Sequence, residues 1–329
     1  MEIVVSIIPA LFFILFLYFL DSFKLVIKGV LLLAIIWGLC SAVIAYFVNT
    51  YMLEHTSIGF DTLSKYLAPA IEEFIKAIFI FMIIYKKRVG FMVDAAIYGF
   101  ATGAGFALLE NILFIRTMGD HNLLIWIIRG FGTAIMHGGC TSLLAIILIS
   151  GKNRDSSPVL AIAVAFITTY IIHSAFNHFY IDPVIQTIGI LLVTPVLFIL
   201  IFRYTENQLQ DWLEIEFASE IELLNMINKG QLMSTRSGEY LASLKSRFSG
   251  ETILDMYCFL AIYLELSIKA KRNVMLKENG FPVIIEEDIQ DKLKELAQLR
   301  KRIGKVGELT LSPLIRMNYR NLWKLNFLQ

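Results

Sequence analysis

The chain has 329 residues, 57% of them hydrophobic, with a mean hydropathy of +0.67 and a net charge of +1. Soluble domains are about 45–50% apolar, so the composition points to a membrane protein. The absence of a basic domain or a nucleic-acid-binding motif argues against a nucleic-acid partner. Cys40, Cys140 and Cys258 are too scattered for a disulfide framework or a thiolate metal site.

Seven apolar stretches fill the first 203 residues: 3–20, 25–48, 66–85, 91–116, 122–150, 158–180 and 184–202. Each is long enough to cross about 30 Å of hydrocarbon. In lipid the backbone must satisfy its own hydrogen bonds, so each is expected to be helical. The first stretch has an acidic start and no clear cleavage site, and reads as a retained helix rather than a signal peptide. Basic residues flank the odd-numbered connections (Lys24, Lys28; Lys86, Lys87, Arg88; Lys152, Arg154) and follow the seventh stretch (Arg203). The even-numbered ones hold only Lys65 and Arg116. That asymmetry places the N-terminus outside the cell membrane and the C-terminus in the cytoplasm.

From residue 204 the composition changes. Residues 204–329 hold 17 basic and 17 acidic residues, a charge-balanced region. Ile289, Leu293, Leu296, Leu299, Ile303 and Val306 recur at helical spacing and predict one apolar face. The stretch 252–268 contains Asp255 and Glu265 and is about 17 residues long. It reads as the core helix of a cytoplasmic bundle rather than an eighth span. Turn compositions fall near Lys229-Gly230, Ser249-Gly250 and Asn279-Gly280-Phe281-Pro282. The expected fold is therefore all-α, with about seven transmembrane helices (1–203) and a helical cytoplasmic domain (204–329). No catalytic motif appears in the second part, which suits a regulatory or partner-binding role.

The polar residues inside the apolar stretches carry the functional signal. An acidic residue in mid-membrane costs about 2.5–3.5 kcal/mol on insertion scales, and such residues usually face a cavity and act there. The third stretch carries Glu72, Glu73 and Lys76. Glu72 and Lys76 are i,i+4 and Glu73 is i,i+3 to the same lysine, an arrangement that an internal ion pair alone would explain only in part. The fourth carries Phe106, Glu110 and Asn111 behind a Gly99-Gly103-Ala107 stripe, which predicts close packing of Glu110 toward the third helix. The fifth holds Arg129 and His137, and the sixth His173, Asn177 and the adjacent His178. At 1.5 Å per residue, Glu72, Glu110, Arg129 and His173 all fall about six or seven residues from the outer helix ends, in one slab of the outer leaflet. His137 counts as deeper, about 15 residues in.

These four motifs, in order and each on its own span, resemble the PrsW family of intramembrane proteases. That family belongs with the type II CAAX prenyl endopeptidases and bacteriocin-immunity proteins. The resemblance covers about residues 60–185. It implies hydrolysis of a membrane-bound protein, with site-1 cleavage of an anti-sigma factor on the extracytoplasmic side as the family's activity. CAAX endopeptidases have histidine where Glu110 stands here, so their proton transfers do not carry over directly.

On this reading Glu72 is the general base and Glu73 shares its proton or orients Lys76. Glu110 holds the water or binds a metal, and His173 and Asn177 donate to the oxyanion. His137 orients another group or acts as a ligand. A zinc site drawn from Glu72, Glu110, His137 and His173 stays open beside metal-free chemistry, although His137 counts as too deep for it. A proton-coupled transporter and a non-catalytic scaffold that binds a membrane peptide are the alternatives. A single-pass membrane protein, entering laterally from the bilayer, is the expected substrate.

Overall fold

The structure is a computed structural model. It describes residues 2–21, 24–118, 123–154, 156–283 and 286–315, together with Leu325 and Leu328. Among the described residues every regular element is helical, and they divide into two compact units, Met1–Thr205 and Glu206–Gln329.

The first unit opens with α1 (Glu2–Phe19) and α2 (Lys28–His55). A short turn, α3 (Phe60–Thr62), runs through a π-helical segment, Leu63–Leu67, into α4 (Ala68–Tyr85). Pro69 sits in the first turn of α4, where its missing N–H costs nothing. Next come α5 (Met92–Met118) and the short α6 (Leu123–Ile127). A second π-helical segment, Ile128–Thr133, leads from α6 into α7 (Ala134–Asn153), followed by α8 (Pro158–His178) and α9 (Pro183–Asn228). Each of the seven apolar stretches is helical over most of its described residues. Among the described residues five segments are long and apolar enough to cross a membrane: Lys28–His55, Met92–Phe114, Leu124–Asn153, Pro158–His178 and Pro183–Gln210. In α1 the segment Ile7–Phe19 is apolar, and α4 carries Glu72, Glu73 and Lys76 within its 18 residues. Five of the about seven expected spans thus meet these criteria among the described residues.

At the centre of this unit α5 lies between α2 and α7. A Cβ on Gly103 would lie 2.1 Å from the His137 carbonyl oxygen, and one on Gly99 would lie 2.6 Å from that of Thr141. The small-residue stripe thus packs α5 backbone-to-backbone against α7, not against the glutamate-bearing third stretch as expected. Small residues announce a close approach without naming the partner.

The second unit takes in the end of α9, then α10 (Arg236–Ser243), α11 (Gly250–Glu278) and α12 (Ile289–Thr310). The predicted breaks are turns: Gly230 and Gly280 have φ of +67° and +76°, and Ser249 caps α11 by accepting from the Thr252 amide. Stretch 252–268 lies in α11, whose Met256, Phe259, Leu260, Tyr263 and Leu264 are at the heart of this unit's core. In α12, Ile289, Leu296, Leu299 and Ile303 are buried as the periodicity predicts, but Val306 is exposed. Gly304 breaks the helix with a φ of 68°, and the face beyond it is reset. The boundary drawn at 203/204 falls inside the continuous helix α9.

Candidate functional site

The i,i+3 and i,i+4 options on α4 resolve in favour of Glu73. Lys76 Nζ lies 2.5 Å from Glu73 Oε1, and both side chains are fully buried. The lysine also approaches His137 Nδ1 at 3.0 Å and lies over the Phe106 ring, 4.7 Å from its centroid. An ammonium has no lone pair, so it donates and His137 Nδ1 accepts. The proton of a neutral His137 is then on Nε2, directed at Glu110 Oε2 at 2.9 Å.

Glu110 receives a second donor, Arg129, whose Nη2 lies 3.1 Å from Oε1. The Arg129 Nε donates to Asn111 Oδ1 at 3.1 Å, and the guanidinium stacks over Phe114 at 3.8 Å. A charged group stacked on an aromatic face and held by two acceptors is rotationally fixed. Arg129 lies in the π-helical segment, a form enriched at functional sites.

His173 reaches Glu73 Oε1 through Nδ1 at 2.9 Å, and its ring meets His137 edge-on at 4.7 Å. Donation to Glu73 puts the proton of neutral His173 on Nδ1 and leaves a lone pair on Nε2, which is 3.7 Å from Glu72 Oε2. Glu72 itself accepts from Asn49 Nδ2 at 3.3 Å. Glu72 and Glu110 line a cavity of about 270 Å³ with Phe106 and residues of α2, whereas Glu73, Lys76, His137 and His173 stand behind it.

His137, counted as too deep, joins the cluster. The depth count assumed a regular helix from residue 122, but α6, a π segment and α7 cover that distance, and α7 is pressed onto α5 at Gly103. Asn177 does not join it. Its amide donates to the Ser64 carbonyl at 3.0 Å, and Ser174 Oγ donates to that of Lys65 at 2.6 Å. The two bonds tie α8 to the π-helical segment before α4. His178 also lies apart, edge-on to Tyr66 and bonded to the Ser174 carbonyl. Asn49 is a site residue that the motifs do not include; the available signal is that it is the single asparagine of α2, a helix otherwise apolar through its middle.

Ligand atoms of Glu72, His137 and His173 all lie within 4.8 Å of one another. One carboxylate oxygen and two imidazole nitrogens form a donor set that fits zinc. Glu73 on the far nitrogen of His173 is the outer carboxylate common behind metal-binding histidines. Glu110 stands beside this set, engaged by Arg129 and His137.

Apolar helices enclosing a layer of acids and imidazoles define a multi-pass membrane protein with an internal polar site. The sequence profile described as PrsW family intramembrane metalloprotease matches residues 27–203, more than half of the chain. The chain belongs to that family and is an intramembrane protease, whose substrate is a membrane protein within the bilayer. No curated protein and no solved structure matches it.

Proposed function

We propose that the protein hydrolyses a peptide bond at the Glu72–Glu110 cavity, with Glu72 as general base. The carrying observation is the division of labour between neighbouring glutamates: Glu73 is committed to Lys76 and His173, while Glu72 faces the cavity with Asn49 as its hydrogen-bond donor. Water attacks the carbonyl carbon and passes a proton to Glu72. The C–N bond then breaks, and Glu72 returns the proton to the leaving nitrogen. Arg129 and His137 hold the Glu110 carboxylate so that it positions the same water. Glu73 fixes the orientation of His173, and Lys76 that of His137. Asn177 acts as a positioning residue for α8 rather than as an oxyanion donor.

A second reading is favoured by the lone pair of His173 Nε2 facing the Glu72 carboxylate, two acceptors with no donor between them. Zinc held by Glu72, His137 and His173 would supply a Lewis acid and an acidified water. Glu110 would then be the cavity carboxylate left to take the proton. His137 would give up its Nε2 hydrogen bond to Glu110 to become a ligand.

The substrate class is a single-pass membrane protein, with anti-sigma factors suggested by the family resemblance. Cleavage near the outer leaflet, an external N-terminus and a cytoplasmic second unit rest on the loop charges, and a partner-binding role for that unit rests on its lack of a catalytic motif. The test compares membrane proteomes of cells carrying wild-type or Glu72→Gln protein. A shortened single-pass protein seen with wild type alone is expected, and retained cleavage by the variant overturns the proposal. Chelation with metal analysis separates the readings: metal-free chemistry survives it, and zinc chemistry does not.

A further inference from the structure

One wall of the cavity comes from α2, which the motifs do not touch. Ala42, Ala45 and Asn49 lie three and four residues apart, so they share a face. Ala42 and Ala45 are buried against Ile75 and Phe106 and form an apolar floor beside the acids. The cavity's 270 Å³ falls just short of the about 300–1,000 Å³ typical of small-molecule sites. That is room for a side chain or two, not for a folded segment. Its rim carries Tyr46, Leu53 and Phe60, all exposed apolar residues of a membrane-embedded unit.

Asn49 supplies a second, independent observation. Its Nδ2 donates to Glu72, but its Oδ1 is buried with no hydrogen-bond partner. A buried acceptor without a donor carries a desolvation cost and calls for a partner. In an apolar cavity that will hold a peptide, the natural donor is a backbone N–H.

We infer that this face of α2 is the substrate-binding surface: Ala42 and Ala45 floor a pocket for a large apolar side chain next to the scissile bond, and Asn49 Oδ1 accepts a backbone N–H of the extended substrate. The inference rests on the protease reading above. The exposed apolar rim suits a chain that arrives sideways from the bilayer. Ala45 sets the depth of the pocket. Asn49 couples binding to chemistry, because the amide that holds the substrate also holds the base.

The test uses the full-length protein in detergent with a single-pass substrate whose residues flanking the cleaved bond are varied. Wild type is expected to prefer Leu or Phe over Ala at one flanking position by at least about 10-fold, since a hydrophobic pocket supplies about 10–200-fold for a single methylene. Ala45→Phe fills the pocket and is expected to abolish that preference while still cleaving the Ala substrate. Unchanged preference in Ala45→Phe overturns the inference. If Ala45→Phe cleaves nothing, the milder Ala45→Val decides by the same ratio. Binding is read without turnover by placing a photo-crosslinking phenylalanine analogue at the preferred position and trapping it on Glu72→Gln. Adducts within 42–53 or 106–114, or at 60, 63 or 72, support the pocket, and adducts confined to residues outside this lining overturn it. The protease reading fails separately, through cleavage that persists in Glu72→Gln.

Discussion

Lys76 gives the sharpest test of how the site is held together. It is wholly buried, 2.5 Å from Glu73 and 3.0 Å from His137. Lys76→Met keeps the length of the side chain and removes the charge. Glu73 is then left as a buried carboxylate whose Oε2 already lacks a partner. Breaking one side of a buried pair costs about 3–5 kcal/mol, whereas replacing both charges is often neutral. At about 2–4 °C per kcal/mol for a unit of this size, Lys76→Met should melt about 6–20 °C lower. Glu73→Gln combined with Lys76→Met should regain most of that loss, since glutamine still accepts from His173. Melting can be followed by a thiol-reactive dye on buried Cys140, in a background with Cys40 and Cys258 changed to serine. A single variant that melts within about 1 °C of its background would falsify the argument, as would a double variant no more stable than the single.

Gly103→Ala should cost about 1–3 kcal/mol and slow cleavage, because the added methyl meets the His137 backbone rather than a pliable side chain. Gly29→Ala, with open space around it, is the control in the same melt. In the second unit, Ile303→Ala should cost about 2–5 kcal/mol while Val306→Ser stays within about 0.5 kcal/mol; equal losses by hydrogen exchange would contradict the reset at Gly304. Burial would raise the Glu265 carboxyl, but hydrogen bonds from Lys269 and Lys292 outweigh it and hold it below its ordinary value of 4.5. Its contribution is therefore fully present above about pH 4.5 and lost as pH falls through the lowered value. Because the group is about one-third exposed, the effect is below about 1 kcal/mol. Glu265→Gln should flatten the acid end of the α11–α12 exchange profile after correction for intrinsic rates, and an unchanged slope would refute the pairing.

How much was legible depended on whether a feature lives in residue type or in backbone path. Glu72, Glu73, Glu110, His137 and His173 stood out because charged and imidazole groups are costly in lipid, and they do meet. The choice of Glu73 by Lys76 was not readable, since i,i+3 and i,i+4 partners are equally reachable on a bare helix. Asn177 shares a face with His173, yet its amide is drawn off to the Ser64 carbonyl, a backbone acceptor that spacing cannot reveal. Asn49 escaped notice because, unlike Asn111 and Asn177, it has no acid or imidazole within one turn on its own helix. The Gly304 break escaped notice because a glycine inside an apolar period looks merely weak, not reversed in φ.

The wide turn at Ile128–Thr133 has a consequence for how this chain tolerates change. A π-helical turn holds one residue more than the α-helical turn it replaces. In a regular helix, residues eight apart, like Arg129 and His137, are separated by about 12 Å along the axis and by some 80° around it. Both nevertheless converge on one carboxylate. Excising a single residue from this turn would yield a smoother rod and swing the guanidinium off its target by about 100°. The surplus residue behaves as a phasing shim: length in this span is as strictly specified as chemistry, and a deletion that tidied the geometry would misalign the site.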